Sequence, residues 1–195
     1  KAETSMQNCV NGTSIIFSVI PSEFLRQTMK ELSQHYSGQI IVSATKGFEH
    51  TTGKRMTQII EDEISNAKVA VLSGPNHAEE VSANLPTASV VASKDKKNGM
   101  KVCNVLNTMT FKTYYVPDVA GVEICSALKN ITAIATGVCD GFNLGDNAKA
   151  SIITLGLSEM NNFGKHFGAK RGTFYGLAGV GDLIATCTSK HSRNR

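Results

Sequence analysis

Apolar runs rich in Val and Ile recur at 14–20, 39–45, 68–73 and 87–93, and their length and turn-forming flanks predict strands. Between them, 23–34, 51–65, 77–84 and 97–108 place apolar residues at helical spacing. Strands alternating with helices predict an α/β fold, a doubly wound and largely parallel sheet.

From Asp118 onward the pattern changes to long helices with no strand. Asp118, placed after Pro117, is suited to cap the apolar run 119–137. A second helix starts near Asp146 and Asn147, with Ile153, Leu157, Met160 and Phe167 on one stripe, and a third covers 181–188. Gly137, Gly141 and Gly145 flank polar residues and predict a loop rather than a helix-pairing face. Two parts are therefore expected, 1–117 and an all-helical 118–195.

Composition narrows the class. At 195 residues, 41% of them hydrophobic and 18% charged, the chain can bury a sizeable core and is not disordered. A net charge of +4, spread out apart from Lys94, Lys96, Lys97 and the terminal run, argues against nucleic acid and leaves small anions as partners. Cys9, Cys103, Cys125, Cys139 and Cys187 are odd in number and form no CxxC pair, which fits free thiols in a reducing cytoplasm. The stretch 119–139 contains Glu123, Lys129 and Asn130 and is read as a core helix, not a membrane span. Residues 1–12 lack the apolar core of a signal peptide, and no metal site is expected.

In parallel sheets ligands gather at the carboxyl ends of the strands, where helix starts offer free N–H groups. Three such ends stand out. Val19-Ile20-Pro21-Ser22 opens a helix containing Phe24, either a close approach to a cofactor or an ordinary turn. Ala44-Thr45-Lys46-Gly47 puts a cation after a strand, where it would attract an oxygen ligand or simply face solvent. Ser73-Gly74-Pro75-Asn76-His77-Ala78 ends a strand with Asn76 placed to cap the next helix, beside a polar His77.

Lys129 is the sharper signal. Its helical neighbours Cys125, Ser126, Thr132 and Ala133 are small and none is acidic, which suits a pocket lysine whose pKa falls with burial; the plain alternative is a snorkelling side chain. Asp182, in the mostly neutral run 176–187, is a candidate counter-charge and equally an N-terminal helix acid, with Thr186 one turn along on the same face. Ser192, Arg193 and Asn194 group hydroxyl, guanidinium and amide donors suited to phosphate.

Taken in order, Val19-Ile20-Pro21-Ser22, Ala44-Thr45-Lys46-Gly47, Leu72-Ser73-Gly74-Pro75, Ala127-Leu128-Lys129-Asn130, Gly145-Asp146-Asn147, Gly179-Val180-Gly181-Asp182-Leu183 and Ser192-Arg193-Asn194-Arg195 resemble NAD(P)-dependent glycerol-3-phosphate dehydrogenase, nearer its bacterial form. The resemblance implies a partial Rossmann-like sheet followed by a helical substrate domain. It implies hydride transfer between NAD or NADP and dihydroxyacetone phosphate or sn-glycerol 3-phosphate, supplying phospholipid synthesis, and it admits a homodimer. By resemblance Lys129 moves the proton and Asp182 sets its charge and orientation. Lys46, Gly74, Asn76, Thr186, Ser192, Arg193 and Asn194 hold substrate, and Phe24, Ala78 and Arg193 lie on the cofactor side. Asn76 stands where bacterial members more often carry Ser or Thr. No GxGxxG follows a strand, and the nearest run, Gly176, Gly179 and Gly181, has the wrong spacing. The family's glycine loop would precede Lys1 and its last helices would follow Arg195, making this roughly a little over half a family chain. A non-catalytic phosphate-binding fragment and a dehydrogenase of another 2-hydroxy acid remain open alternatives.

Overall fold

A computed structural model describes residues 2–189. Helix α1 (Met6–Val10) leads into strand β1 (Ile15–Ser18). The chain then alternates through α2 (Ser22–Ser33), β2 (Ile40–Ser43), α3 (Met56–Glu63), β3 (Lys68–Ser73), α4 (Ala78–Ser82), β4 (Thr87–Ala92), α5 (Lys96–Leu106) and β5 (Phe111–Val116). The five strands lie in chain order.

The doubly wound arrangement follows from strand alternation. Ile16, Ile41 and Val69 face one side and pack on Leu25, Met29, Ile59 and Ile60 of α2 and α3. Ile40, Val42, Ala70 and Val91 pack on Val102 and Cys103 of α5 on the other.

The sheet is largely parallel, as expected, with one antiparallel pair. β3 and β4 are antiparallel, while β1, β2 and β3 are mutually parallel and β4 is parallel to β5. The reason is α4, a single five-residue turn that does not carry the chain back along the sheet. β5 and α1 were not foreseen: β5 alternates exposed Lys112 and Tyr114 with buried Thr113, so it carries little apolar signal.

The helical part holds α6 (Val119–Gly141), α7 (Gly145–Lys165), α8 (Arg171–Phe174), a π-helical turn (Leu177–Gly181) and α9 (Asp182–Thr188). Asp118 starts α6 as expected, its Oδ1 accepting the Gly121 N–H at 2.9 Å. Its Oδ2 also accepts from Lys170 N at 2.8 Å and Thr173 Oγ1 at 2.6 Å, tying α8 to the start of α6. Ile124, Cys125, Ala133, Leu157, Met160, Phe174 and Leu183 form this part's core.

Gly156 brings α7 against α6, since a Cβ there would lie 2.3 Å from Thr132 Oγ1. Gly137 and Gly141 lie within α6, and Gly145 opens α7, so the predicted loop shrinks to residues 142–144. Phe167 lies beyond the end of α7 and is exposed, off the stripe assigned to it. By length and mean hydropathy α6 would pass for a bilayer-crossing helix, but more than half of its apolar stretch is buried in the protein. All five cysteines are free thiols.

Candidate active site

Lys129 lies in the interior of α6 and is 5% exposed. Small neighbours on its own helix give the side chain room. Its Nζ donates to Asp182 Oδ1 at 2.5 Å. Burial lowers its pKa most, opposed by Asp182 and reinforced by the nearby Lys46 ammonium, bringing it down to about 8.

Asp182 is 3% exposed. The π turn that delivers it is closed by Gly181 N donating to Gly176 O at 3.2 Å, a wider loop than α-helical bonding makes. Thr186, one turn along α9, donates to the Asp182 carbonyl at 2.7 Å, its Oγ1 lying 3.4 Å from Asp182 Oδ1. Asp182 Oδ2 is buried with no hydrogen-bond partner among the described residues, so one carboxylate oxygen remains to accept a ligand proton.

Lys46 reaches this place from the other part of the chain, just beyond the carboxyl end of β2. It is exposed, and Gly47 after it adopts φ +116°. A Cβ on Gly47 would lie 3.7 Å from Ser22 Oγ, which places the start of α2, and Phe24 with it, next to the Lys46 turn.

The end of β3 completes the surround. Gly74 has φ +132°, and a Cβ there would meet Ser89 Cα at 3.0 Å, so a side chain would be both strained and crowded. Pro75 approaches Gly181, and His77 Nε2 lies 3.4 Å from Ala185 O of α9, so the Gly74–Ala78 turn borders the helix bearing Asp182.

Asn76 does not cap α4. It donates Nδ2 to Ser89 Oγ at 3.1 Å, and His77 occupies the cap position without its side chain capping the helix. At one turn, α4 is also too short to gather a helix-start field for an anion. Ala78 is exposed at its first position. Ser192, Arg193 and Asn194 lie outside the described residues.

Sequence reasoning passed over Glu123, although it shares with Lys129 the signal of a lone charge in an apolar helix. It is buried in α6 and bonds to Thr57 and Arg55 at the start of α3.

The residues at the carboxyl end of β1 suit a flat cofactor ring. Val19 is largely exposed and Phe24 is 56% exposed, leaving apolar surface uncovered beside a parallel strand end. Two ammonium groups and a buried carboxylate then meet where the carboxyl ends of β2 and β3 face α6 and α9. A crevice at the carboxyl ends of parallel strands is where proteins of the doubly wound α/β class bind their ligands.

Comparison with known proteins narrows the class. The model of the NAD-dependent glycerol-3-phosphate dehydrogenase N-terminus matches residues 1–99, and that of the family's C-terminus matches 118–195. The chain belongs to the NAD-dependent glycerol-3-phosphate dehydrogenase family. It is 48% identical to the glycerol-3-phosphate dehydrogenase [NAD(P)+] of Halothermothrix orenii, over all of this chain and 57% of the relative. It is 45% identical to that of Fusobacterium nucleatum subsp. nucleatum, over all of this chain and 59% of the relative. The crystal structure of glycerol-3-phosphate dehydrogenase from Coxiella burnetii superimposes with TM-score 0.95 at 38% identity, covering 100% of this chain and 60% of that one. The Plasmodium falciparum enzyme does so with TM-score 0.88 at 28% identity, covering 96% and 54%. The chain thus spans somewhat under two thirds of the length of these relatives.

Proposed function

We propose that the protein carrying this chain interconverts dihydroxyacetone phosphate and sn-glycerol 3-phosphate with NAD or NADP, in the cytoplasm, supplying glycerol phosphate for phospholipid synthesis. Residues 1–117 are assigned to the dinucleotide-binding domain and 118–195 to the helical substrate domain. The observation that carries this reading is Lys129, buried, bonded to Asp182 and facing Lys46.

A dinucleotide bound beside Phe24 and Ala78 would supply the hydride for the carbonyl carbon. Lys129 donates a proton to the oxygen as negative charge develops there, and neutral Lys129 takes that proton back in the reverse direction. Asp182 holds the ammonium in place, and its free Oδ2 is available to a substrate hydroxyl. Lys46 adds a second positive charge toward the same oxygen or the phosphate. Gly74, Asn76 and Thr186 shape the substrate side, Ser192, Arg193 and Asn194 take the phosphate, and Phe24, Ala78 and Arg193 border the cofactor.

In the full-length protein, Lys129→Ala is expected to keep substrate binding within a few-fold and to lose about 10²–10⁴-fold in kcat. Steady-state kinetics decide it, and a kcat near that of the wild type would remove Lys129 from its role.

A further inference from the structure

The turn between β2 and α3, residues 44–55, carries Lys46 and is fastened at three places. Phe48 leaves the sheet and packs on the helical core, edge-on to Phe163 with ring centroids 6.3 Å apart. Glu49 receives Arg26 Nε at 2.6 Å and Nη2 at 2.8 Å, which pins the turn to α2. Arg55 closes the turn by a bridge to Phe48 and leads into α3.

The third fastening is the least expected on chemical grounds. Arg55 occupies the N-cap of α3 and has no side-chain acceptor for the free N–H groups there. Glu123, 4% exposed on α6, supplies one instead. Its Oε1 accepts the Thr57 N–H at 2.7 Å, and its Oε2 accepts the Thr57 hydroxyl at 2.8 Å together with Arg55 Nη1. A carboxylate from the helix that bears Lys129 thus caps the helix that follows Lys46. Burying a charge in this way is costly unless its bonds are complete, and both oxygens are occupied.

We propose that Glu123 is a positioning residue: by capping α3 and pairing with Arg55 it holds the 44–55 turn so that the Lys46 ammonium stays against Lys129. The inference rests on the reading of Lys129 given above. The titratable groups that act on Lys129 are Asp182 on α9 and Lys46 on this turn, and the Cys187 thiol of α9 also feels its charge. Of these, Lys46 is the one that the Glu123 cap controls.

The test compares wild type, Glu123→Gln, Arg55→Met and Arg55→Lys in the full-length protein. Lys129 titration is followed by NMR of 13Cε-labelled lysine, alongside the KM for dihydroxyacetone phosphate. Glu123→Gln sets an amide N–H₂ against the Arg55 guanidinium and loosens the turn. The Lys129 midpoint is then expected to rise by about half a pH unit or more as Lys46 withdraws, and KM to rise about tenfold with a smaller change in kcat. Arg55→Met shifts both in the same sense, and Arg55→Lys, which keeps a cation on Glu123, returns both most of the way to the wild-type values. A folded Glu123→Gln protein with the wild-type Lys129 midpoint overturns the proposal. Should that variant fail to fold, an unmoved midpoint in Arg55→Met overturns it instead. The titration needs no turnover, so a wild-type protein inactive on dihydroxyacetone phosphate would count against the functional reading and leave this one decided separately.

Discussion

The Lys129 ammonium and the Asp182 carboxylate are 2.5 Å apart although 53 residues separate them in the chain. A carboxylate at that distance favours the charged lysine, yet burial outweighs it and, with Lys46 adding in the same direction, brings the lysine down to about 8. If Lys129 is the proton donor proposed above, ketone reduction should slow as pH rises through about 8, while glycerol phosphate oxidation should gain over the same range. In Asp182→Asn the one large raising influence is gone, and both the burial and the Lys46 effects remain. The falling limb for reduction should therefore move to lower pH, as pH–rate profiles of kcat will record. A limb that moves upward would mean that Asp182 does not support the charged form.

Gly156 sets how closely α7 approaches the turn of α6 just beyond Lys129. Gly156→Ala would force Thr132 aside, since the added carbon falls 2.3 Å from its hydroxyl oxygen. A loss of about 1–3 kcal/mol in urea unfolding is expected, the ordinary cost of overpacking. Unchanged stability would show that the two helices can separate freely at this point.

Asp118 serves three donors at once, on α6 and at the start of α8. Asp118→Ala removes a helix cap and leaves the Lys170 N–H and the Thr173 hydroxyl without their acceptor. A loss of about 2–4 kcal/mol follows from adding a cap to an unmet buried donor. A change below about 0.5 kcal/mol, the range of plain surface substitutions, would show that water replaces all three bonds.

Four strands and the switch to helices at Asp118 were legible because each rests on local periodicity. Thr87–Ala92 ends in the apolar run Val90-Val91-Ala92 on a buried strand, whereas Phe111–Val116 sends Lys112 and Tyr114 to solvent and carries little apolar signal. The direction of β4 depends on how α4 turns the chain, which no periodicity encodes. At the site, Lys129 was visible as a charge among small residues, and Asp182 as an acid in a neutral run. Their bond, the approach of Lys46 and the tie between Asn76 and Ser89 are made across long stretches of chain. Asn76 shows the limit well: its place before a helix suggested a local cap, and the side chain instead crosses to β4.

α6 has one more consequence, for the chain as it is being made. With a mean hydropathy of 1.3 over its most apolar stretch, it is a segment that an insertion machinery reading composition alone would accept. Glu123 and Lys129 both lie within it, and a charged residue near the middle of such a segment adds ~2.5–3.5 kcal/mol to the cost of entering a bilayer. The groups that pair with Arg55 and Asp182 once the protein has folded therefore also weigh against the membrane before it has.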